Sequence, residues 1–140
     1  MRVVLDTNVL VAALITPHHP PDQVFKAWLA GLFTLVTSEE QLEEFRRVTR
    51  YPRVRALVEP AAAGTMLNTL AAVAVVSGNL PAVDRSRDPG DNFLLAMAEV
   101  GDADYLVTGD RRDLLALKRH GRAKIIKVRA FLKILGLEPR

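Results

Sequence analysis

The sequence contains no cysteine. Disulfides, thiolate metal sites and cysteine nucleophiles are therefore excluded, which fits a reducing compartment. Histidine is scarce. The three, His18, His19 and His120, fall in predicted loops or at helix ends, without the spacing of an imidazole metal site, and are expected at the surface. No uninterrupted apolar run reaches the roughly 18 residues of a membrane span, and the greasiest stretch, 67–76, is broken by Asn68 and Thr69. The opening Met1-Arg2-Val3-Val4-Leu5-Asp6 does not read as a signal peptide, because its apolar run is short and ends in a carboxylate. A cytoplasmic chain with no membrane partner is the expectation. There is no internal repeat, low-complexity segment or linker.

What is present suits a packed domain. Apolar residues make up 49% of the 140 residues, and a chain of this length is expected to form one domain, 1–140. The formal net charge is +3, a mild excess compatible with an anionic partner. Basic residues gather in two places. One holds Arg46, Arg47, Arg50, Arg53 and Arg55. The other runs from Arg111 and Arg112 through Lys118, Arg119, Arg122, Lys124 and Lys127 to Arg129. Each reads either as a solvated helix face or as a track for a phosphate backbone.

Strand and helix signals alternate. Val3-Val4-Leu5 is a continuous apolar run, as a buried central strand should be. A helix is predicted over 9–14, stopped by Pro17, Pro20 and Pro21. Asp22 is expected to cap a second helix, closed by Gly31. Residues 33–36 form a second strand. Ser38 and Gln41 make a capping-box pattern opening a third helix, with Leu42, Phe45 and Val48 inward, and Pro52 ends or bends that segment. A helix follows over 60–70, then a strand or the tail of that helix over 73–76, and a loop over 78–90. Further helices are predicted over 92–100, 113–117 and 130–135, and strands over 105–108 and 124–128. This alternation implies an α/β fold with a mainly parallel sheet and helices on both faces.

Acidic residues fall at telling positions in that frame. Asp6 directly follows the first strand, and Asp110 follows the fourth with Gly109 between. Ligand crevices of open parallel sheets lie at the carboxyl ends of strands, where strand order reverses. If those two strands are neighbours, Asp6 and Asp110 meet there. Asp91 stands at the start of the 92–100 helix, where by itself it reads as an N-cap, a role Asp88 could share. At roughly 100° per residue, Glu44 lies nearest the inward arc of its helix, whereas Glu40 and Glu43 point outward. Taken alone, Glu44 reads as a surface acid.

Together these motifs resemble the PIN domain family. The resemblance rests on Val3-Val4-Leu5-Asp6-Thr7-Asn8, on Ser38 with Glu44 six residues later, on the stretch from Arg87-Asp88-Pro89-Gly90-Asp91 to Ala98, and on Ala103-Asp104-Tyr105-Leu106-Val107-Thr108-Gly109-Asp110 leading to Asp113. These stand in the family's order across nearly the whole chain. Small prokaryotic PIN proteins classed as toxins of toxin–antitoxin systems are the nearest likeness, and the Asp-Pro-x-Asp loop before the third acid sets this group apart from other PIN toxins. The resemblance implies a five-stranded parallel sheet of order 3-2-1-4-5 and a Mg²⁺- or Mn²⁺-dependent ribonuclease using one or two ions. It carries the catalytic and metal-binding acids onto Asp6, Glu44, Asp91 and Asp110. Asn8, Ser38 and Thr108 match supporting polar positions, Asp113 a peripheral acid, and Asp88 an extra member. Implied partners are RNA, a cognate antitoxin, and a second copy in a homodimer or higher oligomer.

The chemistry agrees with such a set. Carboxylates about 4 Å apart repel by roughly 4 kcal/mol at an effective dielectric near 20, so converging acids call for a cation. Oxygen-only ligands suit Mg²⁺ or Mn²⁺ and disfavour Zn²⁺. Within the set, Asp6 and Asp91 are assigned as direct ligands, with Glu44 and Asp110 binding directly, binding through water or positioning the nucleophile. One alternative is a non-catalytic RNA-binding or regulatory module on the same fold. A phosphatase-like site would need a second Asp where Asn8 stands, and a phospho-receiver would need a Lys that the Thr108-Gly109-Asp110 region does not supply.

Overall fold

The apolar run after Arg2 becomes the middle of the sheet. The computed structural model describes residues 1–109 and 111–137. Its strands are β1 (Arg2–Leu5), β2 (Thr34–Ser38), β3 (Val75–Ser77), β4 (Tyr105–Thr108), β5 (Arg119–His120) and β6 (Ala123–Lys127). They lie in the order β3-β2-β1-β4-β6-β5. The first five in that row are parallel, in the arrangement the sequence implies. One strand was not anticipated: β5 is a two-residue antiparallel addition at the edge, pairing Arg119 with Lys124 and His120 with Ala123. Too short to show any alternation, it left no signal in the sequence.

Among the described residues, eight α-helices cover the sheet: α1 (Thr7–Ile15), α2 (Pro20–Leu29), α3 (Glu39–Thr49), α4 (Pro52–Arg55), α5 (Pro60–Val73), α6 (Asn92–Val100), α7 (Arg112–Leu117) and α8 (Val128–Ile134). A 3₁₀ turn, Pro89–Asp91, precedes α6. Successive strand side chains point to opposite faces, and the core divides accordingly. Val3, Leu5, Leu35 and Val107 pack with residues of α1, α2, α3, α5 and α8, whereas Val4, Val36, Leu106 and Ile125 pack with α6 and Leu114 of α7. Phe131 of α8 is fully buried, edge-on to Phe33 with centroids 5.1 Å apart. Burying a side chain of that size contributes roughly 1.5–3 kcal/mol. Among the described residues, no helix is long and apolar enough to cross a membrane.

Local details depart from the sequence reading in instructive ways. Pro20 and Pro21 open α2 rather than stop a helix, as their fixed φ allows at the first turn. His19, not Asp22, holds the N-cap position. Asp22 sits inside that turn, where its carboxylate accepts the His18 amide at 2.8 Å and pairs with Lys26 at 3.0 Å. Pro52 likewise begins α4. His120 is not a free surface ring: it is half-buried, its Nε2 lies 3.0 Å from Glu99 Oε2, and its Nδ1 lies 2.9 Å from Arg85 Nη1. The short edge strand β5 holds it there.

Two predictions concern the frame around β1. Gly101 ends α6 directly against β2, where an added β-carbon would stand 2.5 Å from Val36 Cγ1 and 2.9 Å from the Met97 carbonyl. Gly101→Ala is expected to cost about 1–3 kcal/mol through overpacking, read as a lowered denaturation midpoint. Asp104 ties the start of β4 to β1 by accepting the Arg2 amide at 2.8 Å. That bond, with Arg122 at 2.7 Å, holds its carboxyl below the ordinary value despite some burial. A lowered pKa contributes stability above the unfolded value, and that stability fades as pH falls through the folded one. Asp104→Asn is therefore expected to lower the melting temperature by about 4 °C at pH 7, for about 1 kcal/mol. The gap to the parent should narrow in melts run at pH below the ordinary aspartate value and close as pH falls through the lowered one.

Candidate active site

The strand order reverses at β1, which has β2 on one side and β4 on the other. Asp6 sits at the carboxyl end of β1, held by its amide donating to the Val107 carbonyl at 2.8 Å. It is also the N-cap of α1: its Oδ1 accepts the Asn8 amide at 3.1 Å. Across the gap, the Thr108 hydroxyl at the end of β4 donates to Asp6 Oδ2 at 2.8 Å. The Asp6 carboxylate is thus fixed by both strands, and it is fully buried.

Asp91 arrives from the other side. It occupies the N-cap position of α6 but makes no capping bond with its side chain. The structural role fell instead to Asp88, whose Oδ1 accepts the Gly90 amide at 3.0 Å and caps the 3₁₀ turn. That releases the Asp91 carboxylate to point inward, where the Ser86 hydroxyl donates to its Oδ2 at 3.3 Å. Asn92 holds the preceding loop, its Oδ1 accepting the amides of Arg85 and Ser86 at 3.1 and 2.9 Å. Asp91 is 1% exposed.

One guanidinium joins the two acids. Arg111 Nη1 donates to Asp91 Oδ1 at 2.5 Å, and Arg111 Nε lies 2.9 Å from Asp6 Oδ2. The second contact is an ion pair without hydrogen-bond geometry: Arg111 Nε is buried and its proton finds no acceptor. Burial pushes both carboxyl groups above their ordinary pKa, and the attraction of Arg111 only partly offsets it. The negative charge of Glu44 adds to the rise at Asp6 and also acts on Arg111. Glu44 is half-buried on α3, with its Oε2 4.0 Å from Arg47 Nη2.

The remaining candidates fall at varied distances from this pair. Asn8 serves Asp6 through its backbone, and its side chain is exposed. Ser38 is buried as the N-cap of α3, its hydroxyl accepting the Gln41 amide at 3.1 Å. Asp88 is exposed, with its charge acting on Asp91. Asp113 is half-buried in the first turn of α7. Asp110 lies outside the described residues. The second basic run does not form one track, since Arg122 is taken by Asp102 at 3.4 Å and Asp104 at 2.7 Å and Arg111 by the acids. Lys127 and Arg129 do line a groove beside Gly109, with a volume of about 340 Å³.

Two participants were not legible as such. Arg111 read only as one member of a basic run. Gln41 read as the return arm of a capping box, yet its side chain turns into the core. It accepts the Thr37 hydroxyl at 2.7 Å, and its Nε2 donates to the Leu5 carbonyl at 2.7 Å and to Thr7 Oγ1 at 3.4 Å. Those bonds lock the residues on either side of Asp6 to the start of α3, which carries Glu44. A buried amide on the inward arc was the signal available, because such a group must find partners.

Among the described residues, no three His, Cys, Asp or Glu side chains stand close enough together to hold a metal ion. The donor set nevertheless fits a hard divalent cation. Two buried carboxylates meet the same guanidinium, their ligating atoms are all oxygen, and that cation leaves a buried N–H unbonded.

No curated protein matches the chain. The family model described as PIN domain matches residues 2–112, running from β1 past Asp6, Glu44 and Asp91 to the start of α7. PIN domains are in general nucleases acting on nucleic acids, and they usually employ divalent metal ions. With about four-fifths of its length matched, and Asp6 at the reversal of a parallel sheet joined to Asp91 through Arg111, the chain belongs to the PIN domain family.

Proposed function

We propose that the chain is a Mg²⁺- or Mn²⁺-dependent endoribonuclease that hydrolyses RNA phosphodiester bonds at the Asp6–Asp91 pocket, and that it is the toxin component of a toxin–antitoxin pair. The observation that carries the nuclease reading is the pair of buried carboxylates, from opposite sides of the sheet reversal, sharing one cation. The toxin role, with a cognate antitoxin as partner, draws its support from the sequence likeness to the small prokaryotic toxin group.

Asp6 and Asp91 are the groups that would hold the ion. Glu44 and Asp110 would complete the set directly, through water, or by aiming the attacking water. Such an ion, when bound, acidifies a water for in-line attack and neutralises charge on the phosphate. The protein's own work is positioning. Thr108 and the Asn8 amide fix the two oxygens of Asp6, and Ser86 steadies Asp91. Gln41 keeps the Glu44 helix in register with Asp6. Arg111 supplies a positive charge to which a substrate phosphate is attracted once its carboxylate contacts are relinquished.

The Arg111 bridge also favours a second reading, a non-catalytic RNA-binding module in which the guanidinium permanently replaces the ion. Labelled single-stranded RNA incubated with EDTA, Mg²⁺ or Mn²⁺ separates the two. The nuclease reading expects cleavage that appears with either metal and vanishes in EDTA. Binding without cleavage in all three would move the assignment to the module.

A further inference from the structure

A second basic site lies on the far side of α3. Arg46, Thr49 and Arg50 of α3, Arg55 of α4, and Pro60, Ala63, Gly64 and Leu67 of α5 enclose a cleft of about 250 Å³. At about 100° per residue, Arg46, Thr49 and Arg50 stand roughly 140–240° around α3 from Glu44. The cleft is therefore separate from the acidic pocket.

Three guanidinium groups line this small space. Arg46 is occupied by Glu43 at 2.5 Å. Among the described residues, the guanidinium groups of Arg50 and Arg55 have neither an ion-pair nor a hydrogen-bond partner. Guanidinium groups without acids form a fork suited to phosphate oxygens. The opposite wall is apolar, formed by Pro60, Ala63 and Leu67, and so offers a surface for the uncharged part of the same ligand.

Gly64 adds an independent observation. It sits in the middle of α5, where glycine costs about 1 kcal/mol relative to alanine. Packing does not require it, because an added β-carbon would meet nothing within 4 Å. Its φ lies outside the left-handed region. What it does is leave the floor of the cleft open, as close approach of a ligand to a helix backbone demands. The volume is below the range of most small-molecule pockets and suits one unit of a longer strand.

We propose that this cleft is an accessory site for single-stranded RNA, with Arg50 and Arg55 binding one or two backbone phosphates and the sugar or base lying over Gly64. The proposal rests on RNA being the substrate of the acidic pocket, and it extends the bound strand around α3.

The test is fluorescence anisotropy with a labelled single-stranded RNA 12-mer, in EDTA, across a KCl series. Compared with the parent, Arg50→Ala/Arg55→Ala should weaken binding about 10-fold at 100 mM KCl. It should also reduce the slope of log K against log salt by about 1–1.5, for two phosphates at about 0.7 each. Gly64→Leu should weaken binding about 5-fold while raising the melting temperature, since leucine favours the helix. That variant guards against a merely unfolded double mutant. Unchanged affinity and slope in both variants overturn the proposal. Competition by nucleoside monophosphate or inorganic phosphate as potent, per phosphate, as the RNA also overturns it, in favour of a free phosphate ligand. If the parent cleaves nothing with Mn²⁺ yet binding still depends on Arg50 and Arg55, the nuclease reading fails and the cleft stands.

Discussion

If the acidic pocket cleaves RNA as proposed, Asp6→Asn is expected to lower that cleavage by at least about 100-fold, about 2.7 kcal/mol of transition-state stabilisation, and to leave the melting temperature unchanged or higher. The activity loss follows from the place of Asp6. Among the described residues, it is the one acid that directly continues β1 and is held to β4, through the Val107 carbonyl and the Thr108 hydroxyl. Asparagine keeps the shape and most of those bonds but removes the charge that would hold the ion. The stability result follows from burial. Burial raises the Asp6 carboxyl pKa although Arg111 stands beside it, so ionising this group costs the folded state more than the unfolded one. A raised pKa in an acid means stability that is present at low pH and lost as pH rises, and the neutral amide escapes that loss. The measurement is a cleavage time course in Mn²⁺ paired with thermal melts in EDTA. Parent-level cleavage by the variant would remove Asp6 from the site. Asp91→Asn is expected to behave likewise in cleavage.

Arg111→Ala should have opposite consequences for stability and for metal. Removing one partner from a buried ionic group leaves the other charges uncompensated, at a typical cost of 3–5 kcal/mol. Arg111 is 27% exposed, which argues for the lower end, about 3 kcal/mol, or about 10 °C in melting temperature in EDTA. Millimolar Mn²⁺ should restore most of that loss, because an ion that binds only the folded state stabilises it. In the parent, a divalent ion held as proposed would first have to displace the guanidinium from Asp6 and Asp91. The variant should therefore bind Mn²⁺ about 10-fold more tightly in calorimetry. Equal Mn²⁺ affinity in the two proteins would mean that the ion and Arg111 do not compete for the same carboxylates.

The two predictions depend on different depths of sequence legibility. Asp6 was visible because a carboxylate directly after a continuous apolar run has few structural uses, and the sheet order that made it central was implied by the family resemblance, since strand–helix alternation gave only a mainly parallel sheet. Asp91 was ambiguous, because an acid at a helix start looks like a cap. The ambiguity resolved only when Asp88 took the capping bond one turn earlier. Glu44 could be told from Glu40 and Glu43 by helical phase, and its charge does act on Asp6. Arg111 could not be picked out, since a guanidinium that bridges two acids distant in sequence has the same local pattern as any arginine in a basic run. Nor could Gln41, whose side chain bonds across three elements. Periodicity reports which face a residue occupies, and it is silent on which partner across the fold it meets.

Gln41 also bears on how this pocket can be reused. Its amide joins the strand end that bears Asp6 to the helix that bears Glu44, without contributing charge or touching either carboxylate. A transplant of the acids alone into another α/β scaffold would carry over the charges but leave their spacing to the host. The portable unit is therefore larger than the reactive groups. It includes Thr37, Gln41 and Thr7 as a neutral jig, and any attempt to retune the pocket by shifting α3 has to begin by re-cutting that jig.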